Sequence, residues 1–255
     1  SAFALNFTER VSPRLKNFFC FDSNSRILSS CTAKAPFIDN LSANIVYDNT
    51  KIFICQPVLL TNGNNNIYLI KRSDEMIIQT KRLYMRKLCK NDFNELCEIL
   101  QDKDVMYAYE HAFDNKEVQE WLDNQLRRYD ENGFGLWAVI LKDSETFIGQ
   151  CGLTVQDFNG SSVIEIGYLF KKAYWHHGYA TEAAIACKKY AFETLKVNRV
   201  YSIIRNNNIP SQMVAKRNGM TAVAKLDKFY YNMLMPHIVY SIKDSEYYNG
   251  LSVRR

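Results

Sequence analysis

The sequence predicts a mixed α/β (α+β) fold, in which helices lie on both faces of a mostly antiparallel sheet, preceded by a small β-rich N-terminal module. Three observations predict this fold. Apolar runs on either side of Asp143-Ser144 indicate an antiparallel hairpin. Residues 163–204 read as strand, helix and strand, and such a crossover joins parallel strands. Residues 221–242 then supply two final strands, so the sheet is mixed.

The first 75 residues contain four short apolar runs with turn residues between them. Ile45–Tyr47 and Ile52–Cys55 are separated by three polar residues. Val58–Leu60 and Ile67–Ile70 flank a stretch that contains Asn62-Gly63, a dipeptide typical of hairpin turns. We therefore treat residues 1–75 as a small β-rich module without a chemical motif, and residues 76–255 as a second domain.

The second domain begins with a strand followed by two helices. Met76–Met85 is predicted as one strand. Asn91 or Asp92 begins the first helix, with Glu95 three residues after Asp92 as in a capping box. Apolar residues then recur at helical spacing over Asn115–Tyr129, which predicts the second helix.

The middle of the domain alternates between strand and helix patterns. Phe134–Leu141 and Thr146–Val155 form the hairpin named above, and Val163–Phe170 is the next strand. Gly178–Leu195 is a helix rich in small residues, which favours close packing on a sheet. Val200–Ile204 is a short β-branched strand.

Proline and glycine bound the last predicted helix. Pro210 suits the first helical position and Gly219 suits the residue after the end, so the helix covers Ser211–Asn218. Two strands within Thr221–Ile242 complete the fold.

The composition is that of a globular protein, with 255 residues, 47% hydrophobic and 23% charged. The net charge of +5 is spread along the chain, so we expect no nucleic-acid partner. No apolar run reaches membrane-spanning length and the start lacks a signal-peptide pattern, so we expect no membrane partner. Seven cysteines without Cys-x-x-Cys spacing predict free thiols in a reducing compartment, so the cytoplasm is the expected location.

The stretch Trp175–Ala183 is the strongest local signal for a ligand. Gly178 makes a turn between a predicted strand and a predicted helix, where free N–H groups and the helix dipole bind anions. The stretch is neither a P-loop nor a three-glycine dinucleotide fingerprint. The pattern therefore predicts a phosphorylated ligand, with an ordinary strand-to-helix turn as the alternative.

Five motifs in chain order extend this signal to a family. They are Thr80-Lys81-Arg82-Leu83 with Arg86, Phe147-Ile148-Gly149, Glu165-Ile166-Gly167-Tyr168, the stretch Trp175–Ala183, and Asn208-x-x-Ser211 with Gly219-Met220. On these motifs, residues 76–243 resemble the GNAT superfamily of acetyl-CoA-dependent N-acetyltransferases, and its RimJ/RimL-like branch in particular. The resemblance implies a GNAT-like sheet and acetyl transfer to an amine.

The resemblance also implies where acetyl-CoA binds. Its diphosphate lies on the loop 176–181, and the thioester enters a gap between the fourth and fifth strands of the domain. A backbone N–H near Leu169 or Phe170 polarises the thioester carbonyl. Trp175 stands where the family commonly has Gln or Arg, but the contacts are mainly with backbone N–H groups, which limits the cost. The implied acetyl-CoA-binding residues are Leu169, Phe170, His176, His177, Gly178, Tyr179, Ala180, Thr181, Asn208 and Ser211.

Glu165 is the candidate general base, because a glutamate on the separated strand can accept a proton from the acceptor amine. The alternative is a surface carboxylate on the outer face, and the sequence leaves the face open. Glu110 or His111, in a loop after the first helix, is the second choice.

The usual acid of the superfamily is a tyrosine on the last helix, and alignment of the motifs puts Ala215 there. Ser211 is then the candidate acid, although a thiolate with a pKa near 8.5 leaves with little help. A covalent acyl-enzyme on Cys151 or Cys187 is a less favoured alternative. We expect no metal, because direct transfer of an acyl group to an amine needs none.

The acceptor is predicted to be a primary amine. At pH 7, reaching the neutral form costs roughly 1 kcal/mol for an α-amine and above 4 for a lysine, which favours a protein N-terminus or a small-molecule amine. Phe229, Tyr230 and Tyr231 can line the acceptor groove or pack against the sheet, and packing is the favoured interpretation. An acetyl-CoA sensor without turnover, an interaction protein that uses residues 1–75, and a homodimer stay open.

Overall fold

In the computed structural model the described residues are 76–230 and 232–252, together with the backbone of 45–48, 51–54, 58–61 and 67–70. The chain divides into two compact units, Ser1–Asp74 and Glu75–Arg255.

The described segments of the first unit are two antiparallel strand pairs. Strand β1 (Ile45–Asp48) pairs with β2 (Lys51–Ile54), and β3 (Val58–Thr61) pairs with β4 (Ile67–Ile70). These pairings confirm the four predicted strands, while Cys55 and Asn62-Gly63 lie outside the described residues.

The second unit is built on an eight-stranded sheet with the order β11-β12-β10-β9-β8-β7-β6-β5. Its strands are β5 (Met76–Gln79), β6 (Leu83–Lys87), β7 (Leu136–Leu141), β8 (Phe147–Phe158), β9 (Ser161–Phe170), β10 (Arg199–Arg205), β11 (Thr221–Tyr230) and β12 (Met233–Lys243). Within this described sheet, β9 and β10 form the parallel pair and the other neighbours are antiparallel.

Five helices accompany this sheet among the described residues. They are α1 (Phe93–Leu100), α2 (Asn115–Asn132), α3 (Tyr179–Glu193), α4 (Ile209–Arg217) and α5 (Asp244–Ser252). Helix α5 has no counterpart among the helices predicted from the sequence. None of the described helices is both long and apolar enough to cross a membrane.

Helices cover both faces of the sheet, as predicted. The indole of Trp121 on α2 donates to Gln150 Oε1 at 3.1 Å, while the sulfur of Cys187 on α3 lies 3.5 Å from that of Cys151. Since residues 150 and 151 are consecutive on β8, their side chains point to opposite faces. The predicted mixed sheet with helices on both faces is therefore confirmed.

The predicted strand Met76–Met85 is wrong in one respect, because it is two strands joined by a tight turn. The N–H of Thr80 donates to the carbonyl of Leu83 at 2.9 Å, and β5 pairs with β6. The turn is held by a carboxylate from α3, Glu182, which is 100 residues away from Arg82.

The predicted capping box at the start of α1 is also wrong. Asp92 occupies the N-cap position but makes no side-chain cap bond. Its carboxylate instead accepts two bonds from Arg86, each 2.6 Å long, and one from the N–H of Cys89 at 2.8 Å. Glu95 forms an ion pair with Lys171 rather than a cap.

Strands β11 and β12 extend beyond the rest of the sheet as a ribbon. Residues 237–243 of β12 pair with β10, but residues 233–236 pair only with β11. Phe229 and Leu234 are a cross-strand pair near the tip of this ribbon.

Candidate active site

The candidate site begins where β9 and β10 separate. Their parallel pairing is recorded at Tyr201 and Glu165. Beyond this pair, bonds that involve side chains take the place of the backbone hydrogen bonds between the two strands. The N–H of Ile203 donates to Glu165 Oε1 at 2.8 Å, and the hydroxyl of Ser202 donates to the carbonyl of Ile166 at 3.0 Å. The backbone of the two strands therefore diverges from Glu165 onward and leaves a gap.

The backbone of β9 directs polar groups into this gap. The N–H of Lys171 donates to the carbonyl of Ile148 on β8 at 2.9 Å. Because N–H groups alternate along a strand, Leu169 also points to β8, while Tyr168 and Phe170 point to the gap. Of the two predicted backbone donors, the geometry therefore brings Phe170 to the gap and turns Leu169 away.

The loop 176–181 follows β9 and presents its backbone N–H groups. Gly178 has φ +80°, a left-handed conformation, and the first helical bond of α3 runs from the N–H of Glu182 to the Gly178 carbonyl at 3.0 Å. Among the hydrogen bonds of the described residues, none has a backbone N–H of 176–181 as its donor. The N-terminus of α3 therefore offers the four N–H groups of residues 178–181 to an anion, and those of His176 and His177 lie in the loop before it.

The two histidines of the loop are exposed. The Nδ1 atom of His177 lies 2.6 Å from the carbonyl of Trp175, and its ring stacks on Tyr179 with centroids 5.6 Å apart. The indole of Trp175 donates to the Phe170 carbonyl at 3.0 Å, which joins the loop to the end of β9.

An ionic clamp, formed by Thr80, Arg82 and Glu182, holds this loop against the β5–β6 turn. Glu182 accepts from the Thr80 hydroxyl at 2.6 Å, from the Arg82 N–H at 3.0 Å and from Arg82 Nε at 2.7 Å. Arg82 Nη1 donates to the carbonyl of His177 at 3.0 Å, and its guanidinium lies 4.4 Å from the centre of the Tyr179 ring. Thr80 and Arg82, from the first of the five sequence motifs, therefore hold the loop in place.

Burial by itself raises the pKa of Glu182, but the bonds from Thr80 and Arg82 outweigh it and hold that pKa below its usual value. The Glu182 carboxylate is therefore ionised at neutral pH, and the clamp includes a full ion pair.

Asn208 joins the two sides of the gap. Its Oδ1 accepts from the N–H of Ser211 at 3.1 Å, which caps α4, and from the hydroxyl of Tyr107 at 2.8 Å. The carbonyl of Ser211 accepts from the hydroxyl of Tyr168 at 3.0 Å. Capping therefore accounts for the Asn208 oxygen, while its amide nitrogen keeps donors for a ligand.

Glu165 lies at the closed end of the gap and is half-buried. Burial raises the pKa of its carboxyl, and the Ile203 N–H and the charges of Lys228 and Arg128 oppose that rise only in part. A carboxylate with a raised pKa is a stronger base than an ordinary one, which suits proton transfer from an amine.

The second-choice bases are already engaged. Glu110 forms an ion pair with Arg205 at 2.6 Å, and His111 Nε2 lies 2.8 Å from the carboxylate of Glu117. Both residues line a cavity of about 550 Å³ between the loop after α1 and Asn207. Both side chains are therefore committed to protein partners, so the geometry favours Glu165.

The structure gives no route to an acyl-cysteine. Cys151 and Cys187 are fully buried, and burial raises the pKa of the Cys187 thiol well above its usual value, so the reactive thiolate is disfavoured. Ala215, at the position of the family's tyrosine, is buried in the core. In the part of the chain that the structure describes, no three His, Cys, Asp or Glu side chains gather as metal ligands.

The favoured interpretation of the aromatic run at 229–231 is wrong for two of its residues. Phe229 is 67% exposed and Tyr230 is 48% exposed, because they lie on the part of the ribbon that extends beyond β10. Tyr231 lies outside the described residues. The rings of Phe229 and Tyr230 therefore lie exposed near the tip of the ribbon.

Comparisons with known proteins give the family of this chain. A family model described as an acetyltransferase (GNAT) domain matches residues 82–221. YkkB of Bacillus subtilis (strain 168) is 34% identical over 142 residues, which are 55% of this chain and 83% of that protein. A second relative from the same strain, the uncharacterized N-acetyltransferase YnaD, is 32% identical over 146 residues, which are 57% of this chain and 82% of that protein.

Solved structures show the same fold. The GNAT-family acetyltransferase from Bacillus anthracis has a TM-score of 0.58 at 27% identity, covering 66% of this chain and 99% of that one. RimL, a ribosomal L7/L12 alpha-N-protein acetyltransferase solved with coenzyme A, has a TM-score of 0.56 at 14% identity over 68% of this chain and 99% of its own, a likeness of fold alone. The chain therefore belongs to the GNAT family of acetyltransferases.

Proposed function

We propose that this acetyltransferase moves the acetyl group of acetyl-CoA directly to a primary amine, a protein N-terminal α-amine or a small-molecule amine, in a ternary complex. One observation carries the proposal: the gap between β9 and β10 opens beside a helix N-terminus whose N–H groups at 176–181 bind nothing else among the described residues. Acetyl-CoA supplies the activated acetyl thioester, and positioning supplies most of the catalysis.

The loop binds the diphosphate through its backbone. Several charge-assisted hydrogen bonds, each worth about 1.5–3 kcal/mol, anchor the two phosphates at residues 176–181. The exposed rings of His176 and His177 lie on this loop and can add partial positive charge. Asn208 and Ser211 border the gap from α4 and bind the pantetheine chain through the Asn208 amide nitrogen and the Ser211 hydroxyl.

The reaction needs one base and one donor to the carbonyl oxygen. Glu165 accepts the proton of the amine, whose nitrogen then forms a bond to the acetyl carbon as the carbon–sulfur bond breaks. The Phe170 N–H, which points to the gap, stabilises the carbonyl oxygen. The sulfur leaves as a thiolate, which an ordinary thiol pKa makes a good leaving group, or it takes the hydroxyl proton of Ser211, which a proton from solvent then replaces.

We further propose that residues 1–75 form a module separate from the acetyltransferase domain of residues 76–255. The cysteine pattern supports a cytoplasmic location, because the described cysteines, Cys89, Cys97, Cys151 and Cys187, are free thiols.

Binding and turnover are tested in two steps on the full chain. Thermal unfolding is measured with CoA, with acetyl-CoA and with a nicotinamide dinucleotide, and stabilisation by the first two alone supports the proposal. Release of the CoA thiol is then followed with a panel of amines, and the acetylated product is identified by mass. Stabilisation without transfer to any amine would make the protein a sensor, and no stabilisation would leave it an interaction protein.

A further inference from the structure

The face of β9 that carries Glu165 has a hollow next to the carboxylate. Gly167 lies on the same face two residues on, and it has no side chain. A Cβ atom there would meet Leu136 Cδ2 at 3.5 Å, and no other atom of the described residues would lie within 4 Å. The hollow therefore has an apolar wall at Leu136, room for a small group, and the candidate base beside it.

Arg128 is held at the edge of this hollow. Its Nη1 donates to Gln125 Oε1 at 3.2 Å, and the same oxygen accepts the N–H of Leu136, also at 3.2 Å. The guanidinium is thus tied through Gln125 to the residue that forms the apolar wall. It interacts electrostatically with Glu165 and with Tyr109.

Arg128 differs from its neighbour in its partners. Arg127 pairs with Glu131 at 3.5 Å on the outer side of α2, where its side chain is 63% exposed. Among the described residues, Arg128 forms no ion pair, and it is half-buried. A half-buried guanidinium that has one neutral acceptor among the described residues keeps an edge for an anion.

The charges near the hollow disfavour a purely cationic acceptor. Arg128 and Lys228 both act on Glu165, so two cations face one carboxylate whose ionised form burial disfavours. An acceptor that carried only an ammonium group would add a third positive charge. An acceptor that also carried a carboxylate would offset these cations.

We propose that the acceptor is an amine that carries a carboxylate, as an amino acid does, and that Arg128 binds this carboxylate while the amine nitrogen lies at Glu165. The inference rests on the proposed acetyl transfer and names its substrate class. Arginine suits this task because its planar fork forms paired hydrogen bonds with a carboxylate.

The experiment compares L-amino acids with their amides as acceptors of the full chain, using CoA thiol release at saturating acetyl-CoA. Wild type and the variants Arg128→Met, Arg128→Lys and Arg127→Met are measured, each with a melting temperature. Arg127→Met is the matched control, because it removes the same charge one residue away on the exposed side. The ratio of kcat/KM for acid and amide cancels differences in folding and in active fraction.

We expect wild type to prefer the acids, and Arg128→Met to lower kcat/KM for acids by roughly tenfold to a hundredfold with little change for amides. Arg128→Lys should keep part of the preference, and Arg127→Met should keep it all. Acetylation of acids and amides with the same ratio in wild type and Arg128→Met would overturn the carboxylate proposal and leave acetyl transfer intact. No transfer to any amine would overturn the proposed function itself.

Discussion

The ionic clamp gives the sharpest prediction about acetyl-CoA binding. Glu182→Gln keeps one acceptor oxygen for Thr80 and the Arg82 N–H but turns an NH₂ group toward Arg82 Nε, which is also a donor. Arg82 then loses the partner that aligns it on the His177 carbonyl and the Tyr179 ring. We expect the loop to lose its fixed conformation.

The magnitude follows from the exposure of the pair. A hydrogen bond to a charged group contributes about 1.5–3 kcal/mol when buried, whereas an exposed ion pair contributes about 0.2–1. The side chains of Arg82 and Glu182 are 41% and 19% exposed, which lies between these limits. A loss of about 1–2 kcal/mol corresponds to a 5- to 30-fold weaker acetyl-CoA Kd.

Isothermal titration calorimetry with acetyl-CoA measures this Kd. Glu193→Gln is the matched control, because it removes the same charge from the other end of α3, where Glu193 accepts from the Tyr247 hydroxyl at 2.7 Å. An unchanged Kd in Glu182→Gln would refute the clamp. Tighter binding would also refute it, since it would mean that Glu182 merely neutralises Arg82.

Three further predictions test other parts of the account. Glu165→Gln should lower kcat by at least tenfold and remove the acid limb of the pH–rate profile, which the raised pKa of Glu165 places above the pKa of an ordinary carboxyl. It should also raise the melting temperature at neutral pH, because partial burial disfavours the ionised carboxylate. An unchanged kcat would exclude Glu165 as the base. Gly178→Val should weaken acetyl-CoA binding more than Gly178→Asn, because asparagine tolerates the φ of +80° better than valine does. Equal losses of affinity in calorimetry would contradict a role for this backbone conformation. Asp92→Ala should cost about 3–5 kcal/mol in urea unfolding, because Arg86 is left buried without its carboxylate, and a loss below 1 kcal/mol would contradict it.

The sequence predicts those parts of the fold that depend on neighbouring residues. The hairpin around Asp143-Ser144, the strand 163–170 and the helix after Gly178 all carry local signals, and the structure has β7 with β8, β9 and α3 there. The prediction of one strand over Met76–Met85 is wrong because the turn inside this run depends on Glu182, which lies far away in the sequence. The periodicity of apolar residues does not indicate contacts between residues that are distant in the sequence.

The candidate site divides in the same way. Gly178 and the helix after it mark the loop in the sequence alone, and Glu165 stands in a recognisable motif. The point at which β9 and β10 separate depends on two bonds between the strands, from the Ser202 hydroxyl to the Ile166 carbonyl and from the Ile203 N–H to the Glu165 carboxylate. The pattern of either strand alone does not reveal these bonds. The role proposed for Arg128 has no signal in the sequence, because Arg128 resembles any charged residue on an amphipathic helix.

The start of α2 carries a local signal in the sequence. Asp114 and Glu117 form a reciprocal capping box, with both bonds at 2.8 Å. The spacing Asp-x-x-Glu before an apolar periodicity predicts this start, whereas the same spacing at Asp92 does not form a box because Arg86 competes for its carboxylate.

Hydrogen exchange at the loop 176–181 tests the central claim most directly. The backbone N–H groups of these residues should exchange rapidly in the free protein, because they donate to no other described residue, and slowly when acetyl-CoA is saturating. Adenosine without phosphates should not protect them. Exchange that stays fast in saturating acetyl-CoA, or that is already slow in the free protein, would contradict a diphosphate site at the start of α3.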